Sequence, residues 1–390
     1  MSMASPLSAS YDVIVCGARP AGAGTALLLA RQGARVLMID RGRYGTDILS
    51  THALMRAGVL QLTRWGVLPA IINAGTPAVR SATFTYAGDG TRIAIKPRDG
   101  VEALFAPRRT VLDRALVDAA VAAGVAVSYG TTLLDVLRTS AGGVRGVVVQ
   151  PESGWPMEIE ANIVIGADGL HSTMARRLGA EVSRVGRSAS AVVYGYWPDV
   201  PGDGYRWQFD TGVSAGIIPT NSGLTCIFAS VPAARFAEVF KGDVGRGHRE
   251  VISVVAPDIA AAIAGRPPAA HLHGFPGERG FLRRAAGPGW ALVGDAAYFK
   301  DPLTAHGITD ALVEAEYLAR AIAAGTDAAL DAYALDRDRR VIDIFEITDR
   351  IASFEWTLDE VRELHKQLAA AMAEEVTALR ELTSQEETFA

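Results

Sequence analysis

Cysteine is scarce in this sequence, and long uncharged apolar stretches are absent from it. The two cysteines, Cys16 and Cys226, lie in separate apolar runs, which predicts two buried free thiols and excludes a disulfide framework. Charged residues interrupt the apolar segment 111–127, so no transmembrane helix is predicted. The first twelve residues have neither the basic region nor the apolar core of a signal peptide. These absences predict a soluble, cytoplasmic protein.

Neither basic residues nor histidines are concentrated in one part of the chain. The 38 Lys and Arg residues are scattered among 43 Asp and Glu residues, and the net charge is −5. Nucleic-acid binding needs a concentrated basic face, so it is excluded as the main function. The seven histidines lack the spacing of metal ligands, and the pair His271 and His273 is interpreted as a strand or loop feature. No metal site is predicted.

The length of 390 residues predicts two closely packed domains rather than one small core. Predicted buried strands over 11–16 and 35–40 flank a helix predicted over 21–32, which is the βαβ unit of a dinucleotide site. A further helix is predicted over 52–73, and alternating apolar and polar residues predict antiparallel strands elsewhere. The predicted organisation is a discontinuous cofactor domain over 1–75, 107–180 and 276–335, a β-rich substrate domain over 76–106 and 181–275, and C-terminal helices over 336–390.

A glycine-rich turn over 17–24 joins the first predicted strand to the first helix. The unpaired N–H groups and partial positive charge of a helix N-terminus favour a pyrophosphate there. Arg19 replaces the middle glycine of the usual pattern, and its guanidinium can pair with a phosphate. Asp40 ends the second strand, where a carboxylate can accept the ribose hydroxyls, although the turn alone is also compatible with NAD or with a structural turn. The candidate dinucleotide contacts are Gly17, Arg19, Pro20, Ala21, Gly22, Asp40 and Arg41.

Two further predicted strands end in a Gly-Asp or an Asp-Gly pair. The strand over 162–166 leads to Asp168-Gly169, and a strand that ends at residue 293 leads to Gly294-Asp295. A loop then delivers a helix N-terminus at about Ile308, which can stabilise negative charge on a bound ring. Each pair alone is also common in structural turns. Together with the first turn, the two pairs favour a cofactor site at the carboxyl edge of a parallel sheet.

In the order and spacing of these motifs, the chain resembles the class A FAD-dependent monooxygenase superfamily, which includes para-hydroxybenzoate hydroxylases and geranylgeranyl reductases. The resemblance covers about residues 1–335. It implies an α/β fold in which a Rossmann-like FAD-binding domain of glutathione-reductase type carries an inserted antiparallel β-sheet substrate domain and C-terminal helices. It also implies that FAD is the cofactor and that NADH or NADPH is a transient reductant.

The resemblance also implies roles for residues in these motifs. Arg56 is expected to grip the FAD pyrophosphate and Arg109 to contact the flavin, although both are also compatible with ordinary surface arginines. Asp301 departs from the proline that aromatic hydroxylases commonly have there, and Tyr298 departs from a frequent histidine. Contacts to the flavin, its ribityl chain or the nicotinamide are expected from Asp168, Gly169, Gly294, Asp295, Pro302, Gly307 and Ile308.

The substrate pocket is expected between the flavin and the antiparallel sheet. Candidate catalytic positions beside the ring are His52, Pro302 and His306, because a histidine there can act as an acid or a base. Aromatic residues on the strands of the sheet are candidate walls, although plain sheet packing explains such a pattern equally well. The candidate pocket residues are Tyr194, Tyr196, Trp207, Phe209 and Pro219.

Three enzymatic functions are compatible with this site. The first is an NAD(P)H-dependent monooxygenase that uses molecular oxygen, through a flavin C4a-hydroperoxide, to hydroxylate an aromatic or polyketide-like small molecule. The second is an FAD-dependent reductase or dehydrogenase that resembles geranylgeranyl reductase. The third is a flavin-dependent halogenase. It is disfavoured because halogenases of this superfamily carry a Trp-x-Trp-x-Ile-Pro stretch, and no two tryptophans here lie two residues apart. A non-enzymatic flavoprotein also stays open, and either a monomer or a homodimer is expected.

Overall fold

The computed structural model describes residues 8–200 and 202–389, with side chains through residue 382. Residues 1–7 of the predicted segment 1–75 therefore lie outside the described residues, as do position 201 and position 390. None of the helices within the described part of the chain is long and apolar enough to cross a membrane.

The described strands fall into one large parallel-centred sheet, one large antiparallel sheet and two small ribbons. In chain order they are β1 (Ser10–Cys16), β2 (Val36–Asp40), β3 (Ala78–Val79), β4 (Ser81–Tyr86), β5 (Asp89–Ala94), β6 (Leu104–Phe105), β7 (Ala126–Tyr129), β8 (Thr131–Arg138), β9 (Val144–Pro151), β10 (Met157–Gly166), β11 (Val182–Val185), β12 (Ser190–Pro198), β13 (Tyr205–Asp210), β14 (Val213–Pro219), β15 (Leu224–Pro232), β16 (His273–Phe275), β17 (Phe281–Arg283), β18 (Ala286–Gly287), β19 (Trp290–Leu292) and β20 (Tyr298–Phe299).

The described helices cover both faces of the first sheet, one face of the second and the C-terminal side of the molecule. In chain order they are α1 (Pro20–Arg31), α2 (Arg56–Arg64), α3 (Leu68–Asn73), α4 (Arg109–Ala122), α5 (Thr173–Leu178), α6 (Phe236–Phe240), α7 (Val244–Val255), α8 (Pro257–Ile263), α9 (Gly307–Ala323), α10 (Asp327–Ala352) and α11 (Leu358–Phe389).

The first sheet places the ends of β1, β2, β10 and β19 side by side. β1 pairs in parallel with β2 and with β10, and β10 pairs in parallel with β19. The apolar runs of these strands are buried on both faces, as a parallel sheet covered by helices requires. Their carboxyl ends therefore meet along one edge of the sheet, and the three sequence motifs follow those ends.

The second sheet has the order β16-β12-β15-β14-β13-β4-β5. Its strands are antiparallel except for β13 and β4, which pair in parallel and join the segments 76–106 and 181–275. Side chains alternate between two environments along β12: Val193 and Trp197 pack under α6, α7 and α8, whereas Tyr194 and Tyr196 face the main core. The fold is therefore a Rossmann-like, glutathione-reductase-type α/β unit with an inserted β-sheet layer and C-terminal helices.

Three features of the fold differ from the sequence-based expectation. The helix predicted over 52–73 is two helices, because residues before Arg56 are not helical and Gly66, at φ 69°, breaks the chain between α2 and α3. The helices α6 to α8 within the β-rich segment 181–275 were not predicted. The C-terminal helices begin at Asp327 rather than at 336, since the Thr326 side chain caps α10 by accepting the Ala329 N–H.

Candidate active site

A cavity of about 640 Å³ lies where the carboxyl edge of the first sheet faces β12 and β16 of the second. This volume is ordinary for a cofactor or ligand site. Residues from all three sequence motifs line it. Of the predicted cofactor contacts, those that line the cavity are Gly17, Arg19, Pro20, Ala21, Asp40, Arg41, Arg109, Asp168, Gly169, Asp295, Pro302, Gly307 and Ile308.

The glycine-rich turn is packed too tightly for larger residues. Gly17 has φ 118°, and a Cβ there would lie 2.2 Å from the carbonyl oxygen of Ala167. A Cβ on Gly22 would lie 1.8 Å from the carbonyl oxygen of Gly17. Gly22 itself does not line the cavity but lets α1 approach the turn, so that the first turn of α1 opens on the cavity.

Asp40 is oriented by the backbone around it. Its two carboxylate oxygens accept the N–H of Ala18 at 2.8 Å and that of Gly42 at 2.6 Å. An ionised carboxylate has about four lone-pair positions, so each oxygen can accept one more hydrogen bond. The arrangement fits the hydroxyls of a ribose at the adenosine end of a dinucleotide.

Two arginines share one carboxylate at this end of the cavity. The Arg19 guanidinium donates to Asp113 at 2.6 Å and to the Thr46 carbonyl at 3.0 Å. The buried Arg109 donates to the same Asp113 at 2.8 Å. Each guanidinium has further N–H groups that can donate to a phosphate, so the two arginines favour a pyrophosphate bound beside the turn.

Asp168 caps the short helix α5. Its carboxylate accepts the Ser172 hydroxyl at 2.5 Å, the Thr173 N–H at 2.7 Å and the Met174 N–H at 3.0 Å. Gly169 follows with φ 79°, a left-handed conformation that a side chain would strain. The pair therefore forms a rigid corner of the cavity.

The third motif places a carboxylate and a helix N-terminus at the other end of the cavity. Asp295 is half-buried, and burial raises its pKa to about 6, while Lys300 and Arg109 act in the opposite direction. The preceding Gly294 donates its N–H to Glu314 at 2.8 Å. Helix α9 begins at Gly307, and the partial positive charge of its N-terminus is directed at the cavity. These groups fit the ribityl chain and the carbonyl edge of a flavin.

The hydrogen bonds of Asp301 account for an aspartate at the position where aromatic hydroxylases commonly have proline. Its carboxylate accepts both the N–H and the hydroxyl of Ser190 and also the N–H of Leu303. These bonds hold the Pro302 loop against the first residue of β12. The aspartate thus joins the cofactor side of the cavity to the second sheet.

Arg56 lies outside the cavity. Its guanidinium donates to three backbone carbonyls, those of Lys96, Arg98 and Val101, at 2.9 to 3.2 Å. It therefore ties α2 to the segment 96–101.

Among the predicted pocket residues, Tyr194 lines the cavity, and its hydroxyl accepts the N–H of Ser50 at 2.9 Å. Trp207 and Phe209 pack in the core away from it, and the Phe209 ring lies 4.4 Å from that of His365 on α11. Tyr196 and Pro219 do not line it either.

The two candidate histidines occupy different places. His52 lines the cavity with a left-handed backbone (φ 47°), and its Nε2 lies 3.1 Å from the Tyr196 hydroxyl. Burial, with help from the neighbouring Arg108, lowers the pKa of His52 to about 3, so the ring is neutral at pH 7. The His306 ring is fully buried and turned toward α11, where Nε2 lies 3.1 Å from Glu375.

Lys300 is a cavity residue that the sequence reasoning missed. Its ammonium forms a buried ion pair with Asp310, and burial lowers its pKa to about 7 against the attraction of Glu375, Asp295 and Glu314. A lysine directly after the buried strand β20 was the available signal, since lysine is seldom buried without a partner. Because the ammonium already contacts Asp310, the neighbouring carboxylates form an ion-pair cluster rather than a cation site.

Comparison with known proteins supports FAD binding, which the geometry of the cavity fits. A family model described as an FAD binding domain matches residues 10–348. Digeranylgeranylglycerophospholipid reductase of Methanothrix thermoacetophila is 27% identical over 336 residues, which are 80% of this chain and 79% of that protein. Digeranylgeranylglycerophospholipid reductase 2 of Methanopyrus kandleri is 30% identical over 332 residues, which are 78% and 74% of the two chains.

Solved structures show the same fold. The flavin-dependent brominase Bmp2 superposes with a TM-score of 0.78 at 18% identity and covers 96% of this chain and 100% of its own. The structure of pqsL from Pseudomonas aeruginosa, described as a probable FAD-dependent monooxygenase, superposes with a TM-score of 0.73 at 21% identity and covers 93% and 100%. At these identities the likeness extends to the fold alone.

Proposed function

The chain belongs to the class A FAD-binding flavoprotein family, and we propose that this FAD-dependent oxidoreductase reduces a carbon–carbon double bond in an apolar small molecule, with NADH or NADPH as the electron source. The sequence relatives support this choice over hydroxylation, because the two described above are reductases. FAD supplies hydride transfer when it is bound; the protein supplies the binding, the orientation and the proton.

The residues that would hold FAD follow from the charges and hydrogen-bond acceptors of the cavity. Asp40 would accept the adenosine ribose hydroxyls, and the turn from Gly17 to Ala21 would receive the pyrophosphate beside Arg109. Asp295 would accept ribityl hydroxyls. We further propose that Asp168-Gly169 forms the corner at which the nicotinamide meets the flavin.

The observation that carries the proposed substrate class is the apolar lining on the side of the second sheet. Val192 and Phe275 line the cavity from that sheet, and Phe299 lines it from β20. Ile48 and Leu49 also line it and are 42% and 43% exposed, so apolar side chains continue from the interior to the surface. An extended apolar acceptor such as a prenyl chain would bury its surface on these side chains.

In the proposed reaction, NAD(P)H and one proton saturate one double bond and yield NAD(P)⁺. The cavity must orient the acceptor and exclude water from the transferred hydride. The hydrogen bond from Ser50 to Tyr194 fixes the loop that carries the apolar mouth residues to the second sheet. That contact holds the apolar mouth residues beside the second sheet, where they can cover part of the acceptor.

An anaerobic experiment tests the proposal. The purified flavoprotein is reduced with NADH or with NADPH, and geranylgeraniol is then added without oxygen. Reoxidation of the flavin together with a product that has gained two hydrogen atoms is expected. Failure of geranylgeraniol to reoxidise the flavin, with oxygen-dependent hydroxylation of an aromatic compound instead, would overturn the proposal in favour of a monooxygenase.

The monooxygenase alternative has one supporting observation. His52 and Tyr196 form a neutral hydrogen-bonded pair at the cavity wall, and Arg108 lies 3.9 Å over the Tyr196 ring. The neutral His52 ring can orient a ring hydroxyl of a substrate through a hydrogen bond, with Tyr196 behind it. His52→Ala would then slow hydroxylation, whereas alkene reduction would change little.

A further inference from the structure

A chain of four polar side chains leads from the cavity to the C-terminal helix α11. Lys300 lines the cavity, and its ammonium contacts one carboxylate oxygen of Asp310. The other oxygen of Asp310 lies 3.5 Å from Nε2 of His306, and the same Nε2 lies 3.1 Å from Glu375. The side-chain exposure is 3% for Lys300, 7% for Asp310 and 0% for His306, and it rises to 16% at Glu375. Solvent therefore reaches this chain at Glu375.

The cluster around Lys300 contains groups that can exchange a proton near neutral pH. The groups that face Lys300 are Asp310 and Glu314 on α9, Glu375 on α11, Asp295 and the Tyr298 ring, 4.9 Å away. The cations that also act on these carboxylates are Arg337 and Arg340, beside Glu314, and Arg109, beside Asp295. Burial nevertheless raises the pKa of Glu314 to about 7 and that of Asp295 to about 6, so the cluster can hold a shared proton.

Each neighbour in the chain can pass a proton to the next. The Nε2 of His306 is hydrogen-bonded to Glu375 at 3.1 Å and lies 3.5 Å from Asp310, so the ring can take a proton from Glu375 and pass it to Asp310 after a small shift. Burial lowers the pKa of His306, so the imidazolium is short-lived and releases the proton readily. Asp310 contacts Lys300 directly, and burial brings the pKa of Lys300 to about 7, where it exchanges a proton readily at neutral pH.

We propose that Glu375, His306, Asp310 and Lys300 form a proton path from the surface beside α11 to the flavin end of the cavity. The inference rests on the proposed function in needing a reductive turnover. Saturation of one double bond by NAD(P)H consumes one proton, since the nicotinamide provides only the hydride. Lys300 gives that proton to the cavity and is reprotonated through Asp310 and His306, and Glu375 takes its replacement from solvent.

The same path would serve the alternative reaction. Hydroxylation of a substrate by oxygen and NAD(P)H yields the hydroxylated product, water and NAD(P)⁺, and it too consumes one proton. The proposed path therefore supplies a proton in each catalytic cycle, whether the electrons go to an alkene or to oxygen.

The test follows proton uptake and flavin reduction separately. FAD-loaded protein is reduced photochemically with a deazaflavin as sensitiser and oxalate as the electron donor, which becomes CO₂ without releasing a proton, in weakly buffered solution that contains a pH-indicator dye. Glu375→Gln is expected to slow proton uptake about 10²-fold, the scale of a lost acid–base group. Glu374→Gln is the matched control, because Glu374 is exposed and lies one position earlier on α11. In a parallel experiment followed by the flavin absorbance instead of the dye, acetate buffer at high concentration and unchanged pH is expected to restore the rate in the Glu375 variant.

His306→Asn provides a second, internal block in case Glu375→Gln does not fold. It is expected to slow proton uptake similarly without rescue by acetic acid, because the block lies beyond the entry point. Uptake in both variants at the wild-type rate would overturn the path, as would equal slowing in Glu374→Gln. Wild-type protein that binds no flavin would overturn the proposed function and the path together.

Discussion

Asp301 accepts two hydrogen bonds from Ser190, one from its N–H and one from its hydroxyl, each at 2.6 Å. Ser190 is the first residue of β12, and Asp301 precedes the Pro302 loop of the cavity. Both side chains are buried, so this pair fixes the second sheet against the cofactor side. Burial raises the pKa of Asp301 to about 6, while its hydrogen bonds act in the opposite direction.

Asp301→Asn is expected to lower the free energy of unfolding at pH 7 by about 1–3 kcal/mol, because an amide NH₂ would face one of the N–H donors. The pKa of Asp301 is higher in the folded chain than the ordinary 3.8, so its contribution to stability is present at low pH and declines as pH rises from about 4 to about 6. Urea unfolding across this range should show the wild-type advantage over Asp301→Asn shrinking with rising pH. An advantage that grows instead would contradict the assignment.

Removal of either cofactor carboxylate is expected to weaken FAD binding. Asp40→Ala and Asp295→Ala each remove charged hydrogen-bond acceptors, which corresponds to about 10- to 100-fold in Kd. Fluorescence titration of the apoprotein with FAD measures the effect, and Asp331→Ala on the exposed side of α10 serves as the control. Unchanged affinity in both cavity variants would refute the placement of FAD.

The two arginines that the family resemblance associates with FAD should behave differently. Arg109→Ala removes a buried charge beside the glycine turn and is expected to weaken FAD binding about tenfold or more. Arg56→Ala breaks three bonds to backbone carbonyls outside the cavity, so it should lower stability by about 1–3 kcal/mol and leave the FAD affinity unchanged. Parallel FAD titrations and thermal unfolding separate these effects. A larger loss of affinity in Arg56→Ala than in Arg109→Ala would contradict this expectation and support the pyrophosphate contact that the family resemblance implies.

The carboxylates of the cavity could be located from the sequence because of parallel-sheet geometry. Asp40 ends a buried strand, Asp168 and Asp295 follow two others, and adjacent parallel strands bring their carboxyl ends together. The direction of the Arg56 side chain cannot be predicted in this way, because it depends on where the distant segment 96–101 packs. No local pattern around residue 56 contains that information.

The pocket aromatics show a second limit of sequence reasoning. Alternation along a strand identifies a face of the sheet, and Tyr194 and Phe209 do share the face toward the main core. It does not identify the position across the sheet. β13 lies three strands from β12, about 14 Å at ordinary strand spacing, so Phe209 meets α11 instead of the cavity.

Gly22→Ala tests the tight packing beneath the dinucleotide turn. A methyl group there would lie 1.8 Å from the Gly17 carbonyl oxygen, and because that atom belongs to the backbone, the turn itself must move. We expect a loss of about 1–3 kcal/mol or more in stability together with weaker FAD binding, since the displaced N–H groups no longer converge on the pyrophosphate. Gly242→Ala is the control, because a Cβ at that glycine meets no atom within 4 Å. If Gly22→Ala retained both the wild-type melting temperature and the wild-type FAD affinity, then the close contact between α1 and the turn would not be what shapes the site.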